Sequence, residues 1–111
     1  MASRTFYRRR FLNRRGHHGG AFVLADIHPE KYLSDGREVH DISAFIAIAD
    51  CSRVATIDFD VHTAADARNA LHKAHLLLRV ITDFVDALEQ AAIDREETHS
   101  SPAAPPAKAR R

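Results

Sequence analysis

The stretch Ile42–Val61, ISAFIAIADCSRVATIDFDV, decides the fold. Apolar residues take every second position in Ile42, Ala44, Ile46 and Ile48, and again in Ala55, Ile57, Phe59 and Val61. A period of two puts each set on one face of a strand. Between the runs, Asp50-Cys51-Ser52-Arg53 is polar and of hairpin length. Facing Ala49 with Val54 sets Ile48 against Ala55, Ile46 against Ile57, Ala44 against Phe59 and Ile42 against Val61. The apolar side chains of both runs then share one face, and a slip of one residue would scatter them. The same register sets Asp41 opposite His62.

The next segment supplies a helix to cover that face. Thr63 and Asp66 resemble a capping box with the shorter Asp in the acidic position. Ala67, Leu71, Ala74, Leu78, Ile81, Val85, Leu88 and Ala92 then recur at alternating steps of four and three, and no Gly or Pro intervenes before Pro102. Asp94, Glu96 and Glu97 stand at the negative end of the helix dipole, so the final turn is expected to fray. A helix over Ala64–Asp94 is about 46 Å long, whereas an eight-residue strand spans about 26 Å. The sheet cannot cover the whole stripe. Leu76 and Val80 lie off it, and with Phe84 and Leu88 they form the expected interface of a symmetric homodimer. A monomer with a frayed helix end is the alternative.

Working toward the amino terminus, Ala21–His28 (AFVLADIH) reads as a strand ended by Pro29, and Thr5–Asn13 as another. Arg14–Gly20 joins them through Gly16, Gly19 and Gly20. Glu30–Glu38 reads as a polar link containing Asp35-Gly36. The register of the first hairpin is not set by its pattern, because Phe6, Tyr7, Phe11 and Leu12 fall on both faces. Thr98 onward, with SSPAAPPAKARR, has the composition of a disordered tail. The expected fold is α+β: a four-stranded antiparallel sheet of two hairpins, then one long C-terminal helix packed on one sheet face. Residues 1–97 form a single ββββα domain, in which 1–15 are an Arg-rich first strand or arm, and 98–111 are the tail. This order of elements resembles the plan of PUR-type single-stranded nucleic-acid binders. The resemblance lies in topology alone; it implies a non-enzymatic binding module and transfers no site residue.

With 111 residues the chain has room for one core. Cys51 is alone, so no internal disulfide forms, and a reducing, cytoplasmic compartment is expected. The arginines of the amino terminus lack the apolar stretch of a signal peptide, and no apolar run approaches the roughly 20 residues of a membrane span. No membrane partner is therefore expected. Thirteen Arg against three Lys, with nineteen Ala, fit a GC-rich bacterial or phage genome.

Charge is segregated along the chain. Arg4, Arg8, Arg9, Arg10, Arg14 and Arg15 precede the first acidic residue, Asp26. From Ala21 to Glu97, fifteen carboxylates face seven Lys and Arg, a net of −8, and Lys108, Arg110 and Arg111 close the chain. Arginines interleaved with aromatic residues suit phosphate and base contacts. The sheet face turned from the helix carries Phe45 with Asp41, Ser43, Ala47, Thr56, Asp58, Asp60 and His62, and Phe22 and Leu24 join it if Val23, Ala25 and Ile27 point inward. Aromatics on a sheet beside arginines are how single strands are stacked and held. Arg8, Arg9, Arg10, Arg14 and Arg15 are accordingly the expected phosphate contacts, and Tyr7, Phe22 and Phe45 the expected stacking platforms, for a nucleic acid read with weak sequence preference.

Two alternatives compete with that reading. The Arg-rich strand can lie across the acidic face, with Arg8 and Arg10 beside Asp26, Asp58 or Asp60, as part of a structural or protein-interaction module. Asp58-x-Asp60-x-His62 with Asp41 can also hold a divalent cation for hydrolysis, although any solvated strand face shows such spacing. Of the eight histidines, His17, His18, His28, His40, His62, His72, His75 and His99, the pair His72 and His75 stands three apart on the helix as a metal pair can, but no carboxylate or Cys at helical spacing completes a zinc set. Cys51 has no neighbouring base that would make it a nucleophile. Gly16, Gly19 and Gly20 do not lead from a strand into a helix and so make no phosphate loop. A non-enzymatic protein with no metal and no small-molecule cofactor is expected.

Overall fold

The structure, a computed structural model, describes residues 5–100. Strands β1 (Phe6–Phe11), β2 (Phe22–Ser34), β3 (Arg37–Asp50) and β4 (Arg53–Asp58) precede one helix, α1 (Ala64–Ser100). The strands lie in chain order in one antiparallel sheet, β1-β2-β3-β4. The α+β arrangement is as expected. By its internal contacts the chain divides into two compact units, Met1–Ala74 and His75–Arg111.

The β3–β4 hairpin has the register read from its alternation. Ala49 pairs with Val54, Ile48 with Ala55 and Ile46 with Ile57. The ladder continues past β4, with the Phe59 N–H donating to Ala44 O at 2.8 Å and an Ile42–Val61 bridge. At the tip, Cys51 takes a left-handed backbone (φ 62°) and donates its N–H to Gly20 O at 3.0 Å. A Cβ on Gly20 would stand 3.1 Å from Cys51 Cα, so the close approach of the two loops favours glycine.

The middle of the sheet corrects the sequence reading. β2 does not end at Pro29 but continues to Ser34, and Glu30–Glu38 is no link: it holds the ends of β2 and β3 and the turn between them. Pro29 pairs with Ile42. Ile27 O accepts the Thr5 N–H, so Ile27, and Pro29 two residues on, turn their backbone polar groups away from β3. The N–H that proline lacks would point away from β3, and no β2–β3 bond is lost. Asp35 (φ 54°) and Gly36 (φ 77°) make a two-residue turn with both central residues at positive φ, the geometry that suits a twisted hairpin.

Few side chains are buried in the sheet-bearing unit. Its buried apolar residues are Ala21, Ala44, Ala49 and Phe59, while Ile27, Ile42 and Ile48 stay exposed. Helix α1 starts as its sequence directs: Thr63 Oγ1 accepts the Asp66 N–H at 3.1 Å, and Asp66 accepts the His62 N–H at 3.1 Å. Lys73 ties the third turn down, with Nζ 2.6 Å from Asp58 O and 5.3 Å from the Phe59 ring centre.

Along α1, Leu71, Leu78, Ile81, Val85 and Leu88 of the apolar stripe are exposed. The helix also outruns its expected end. Thr98–Ser100, assigned to the tail by composition, continue α1, and residues 101–111 lie outside the described residues. Without Gly or Pro before Pro102, the last turns keep their backbone bonds. Gln90 Nε2 donates to Asp94 Oδ1 at 3.0 Å, and His99 Nδ1 lies 3.0 Å from Arg95 O.

Candidate nucleic-acid interface

Strand β1 is the edge strand beside β2, and its register assigns each arginine to a face. Arg8 pairs with Ala25 and Arg10 with Val23, while Arg9 pairs with Leu24. Successive side chains alternate, so Arg8 and Arg10 share a face with Phe6, Val23 and Ala25. Arg9 shares the opposite face with Tyr7, Phe11, Phe22 and Leu24. The expected group Arg8, Arg9, Arg10 is therefore split between two faces.

None of these arginines lies against the acidic residues. Among the described residues, no ion pair joins Arg8, Arg9, Arg10, Arg14 or Arg15 to a carboxylate. The expected alternative that sets Arg8 and Arg10 beside Asp26, Asp58 or Asp60 is corrected by the strand order. β1 is separated from β4 by two strands, and its partners at those positions are alanine and valine. The arginines meet aromatic rings instead. Arg8 lies 5.0 Å from the Phe6 ring centre; Arg9 lies 5.4 Å from that of Phe11 and 4.9 Å from that of Phe22. A guanidinium over a ring keeps its charge and its outward N–H groups. All five arginines are exposed.

The cross-strand rows on the Arg9 face grade from basic to acidic. The row at the Gly-rich loop is Phe11–Phe22–Ala49–Val54, and the next is Arg9–Leu24–Ala47–Thr56. Neither contains a carboxylate, and the loop adjoining the first carries Arg14 and Arg15. The third row is Tyr7–Asp26–Phe45–Asp58. Phe45 is thus half-buried between two acidic neighbours, a poor platform for a polyanion, while Tyr7 stands at the boundary. Phe11, 66% exposed, is the ring that the choice by residue type passed over.

In the third row and beyond it, Asp26, Asp41 and Asp60 are engaged by nearby side chains and backbone. Asp26, 2% exposed, has Oδ1 2.8 Å from His28 Nδ1. Asp41, 3% exposed, accepts the Tyr32 hydroxyl at 2.8 Å and lies 2.8 Å from His62 Nδ1, both at Oδ2. Its Oδ1 is buried without a partner. The hydrogen bond from His62, then that from Tyr32, holds the Asp41 carboxyl below the usual carboxylate range. The bond to Asp41 in turn holds the His62 imidazolium protonated above its ordinary range, and raises the Tyr32 hydroxyl. Asp60 Oδ1 accepts the Ala44 N–H at 2.8 Å.

These bonds give Asp41, Asp60 and His62 structural partners. Among the described residues, no group of three or more His, Cys, Asp or Glu is placed to hold a metal. None of the helices is long and apolar enough to cross a membrane among those residues. No family model matches the chain, and neither a curated protein nor a solved structure does.

Proposed function

We propose that this chain is a small non-enzymatic protein that binds single-stranded or structured nucleic acid with weak sequence preference. The binding surface is the carboxylate-free end of the Arg9 face. Arg9, Arg14 and Arg15 contact phosphates there, Phe11 and Phe22 stack bases, and Tyr7 extends the platform along β1. The observation that carries this reading is Arg9 held over Phe11 and Phe22 with no carboxylate in either of the two rows. Base–aromatic stacking tolerates any base, which accounts for weak sequence preference. Arg8 and Arg10, on the opposite face, serve a strand that wraps the edge of the sheet. A cytoplasmic setting suits the lone exposed Cys51.

The test is binding of a labelled single-stranded oligonucleotide, followed by anisotropy across a salt series. Affinity is expected to fall linearly on a log–log plot, and an Arg9/Arg14/Arg15→Ala variant to show a shallower slope. Absence of any binding at low salt overturns the proposal. A second reading, a structural or protein-interaction module, is favoured by the pairing of all six β1 residues with β2. It expects removal of residues 1–15 to lower the melting temperature strongly while nucleic acid has no effect on the intact chain.

A further inference from the structure

We propose that α1 pairs antiparallel with α1 of a second copy of this chain, with the two-fold axis near Ile81. Leu76, Val80, Phe84 and Leu88 form a row at steps of four along α1, and all four are exposed. Such a row calls for a partner, and the charges of the helix specify which. From Ala64 to Val80 it carries Arg68, Lys73 and Arg79 against the single acid Asp66. From Ile81 to His99 it carries Asp83, Asp86, Glu89, Asp94, Glu96 and Glu97 against the single Arg95. A parallel pair would set acidic half on acidic half; an antiparallel pair sets each acidic half on a basic one.

The same arrangement accounts for acids where a lone helix disfavours them. Asp94, Glu96 and Glu97 stand at the negative end of their own dipole. In the antiparallel pair they lie beside the basic, positive-dipole half of the second helix. The spacing agrees. Arg79 and Asp83 stand two residues either side of Ile81, and Arg68 and Asp94 stand thirteen either side. At about 100° per residue these four fall on one flank of the Leu76–Val80–Phe84–Leu88 row. A two-fold axis at Ile81 brings that flank against itself, so Arg79 meets Asp83 and Arg68 meets Asp94 of the second copy. Across the seam, Leu76 comes within one residue, about 1.5 Å along the axis, of Ala87 of the second copy.

Light scattering on the full chain, free of nucleic acid, is expected to give twice the chain mass of 12.4 kDa. In a Cys51→Ser background, full chains carrying Leu76→Cys and Ala87→Cys are then oxidised separately and as a mixture, with circular dichroism confirming unchanged helix content. A covalent dimer is expected in the mixture at roughly tenfold the yield of either variant alone, given that the two sites stand within one residue of level on a helix of this pitch. A monomeric wild-type chain overturns the proposal. So do variants that cross-link best alone, the mark of a parallel pair. A dimer that cross-links in neither case also overturns it, since the sheet and not α1 would then be the contact.

Discussion

His62 places Nδ1 2.8 Å from Oδ2 of Asp41, twenty-one residues earlier in the chain. The contact closes the end of the β3–β4 ladder just before α1 begins, and Tyr32 reaches the same carboxylate oxygen from β2. Three segments thus meet on one buried carboxylate. The approach to the helix is held by a group whose charge depends on pH.

That dependence has two limbs. Asp41 is held below its ordinary value of 3.8, first by His62 and then by Tyr32, so its contribution stands at neutral pH and is lost as pH falls through the lowered value. His62 is held above its ordinary 6.5, chiefly by Asp41, so its contribution is full below that value and is lost as pH rises through the raised one. Stability is expected to be greatest between the two, in the mildly acidic range. Urea midpoints across pH for the wild type and Asp41→Asn check this: both limbs flatten in the variant. In NMR titrations, the His62 midpoint moves down toward its ordinary value.

Asp60 separates a structural carboxylate from a metal ligand. Its Oδ1 satisfies the N–H of buried Ala44. Asp60→Ala leaves that donor to whatever water reaches it, at a cost of about 1 kcal/mol, the low end for a lost partner near the surface. Thermal melts should show the loss equally with magnesium and with a chelator. A wild-type chain that magnesium stabilises and Asp60→Ala does not would assign the carboxylate to a cation.

Legibility in the sequence follows the apolar pattern of each strand. The β3–β4 register was readable because Ala44, Ile46 and Ile48 oppose Phe59, Ile57 and Ala55 on one apolar face, and a period of two is enforced there. The Asp41–His62 contact came with it. The register of β1, expected as a strand over Thr5–Asn13, is unreadable for the opposite reason: its apolar residues fall on both faces, Phe6 on one and Tyr7 and Phe11 on the other. The outer part of β2–β3 is hidden in the sequence because Pro29 counts as a strand breaker unless its missing N–H points away from a partner. In the sequence Phe45 offers only its ring. Its acidic neighbours Asp26 and Asp58 come into view only once β2 is aligned with β3.

The turn at Asp35-Gly36 bears on that alignment. A Cβ on Gly36 would meet nothing within 4 Å, so the cost of Gly36→Ala comes from the φ of 77° alone. About 1 kcal/mol is expected, the usual cost of a left-handed backbone for a residue with a Cβ. Chemical denaturation measures it. A neutral or stabilising Gly36→Ala would mean that the turn is not of this type and that the β2–β3 ends pair otherwise.

The two faces of β1 make the nucleic-acid reading separable into its parts. Arg9 lies on the side of Phe11 and Phe22; Arg8 and Arg10 lie on the other, with Phe6. If single strands run over the carboxylate-free rows, Arg9→Ala removes one phosphate contact and the ring-backed cation together. The salt slope should then fall by about 0.7, the value for one contact on a single strand. Phe11→Ala should weaken binding by about 1–3 kcal/mol without changing the slope, because stacking releases no counterion. Arg8/Arg10→Ala, although it removes twice the charge, should alter the slope less than Arg9→Ala does. The reverse order would move the strand to the Phe6 face. Equal effects per arginine would mean that the arm attracts phosphate only as a diffuse charge.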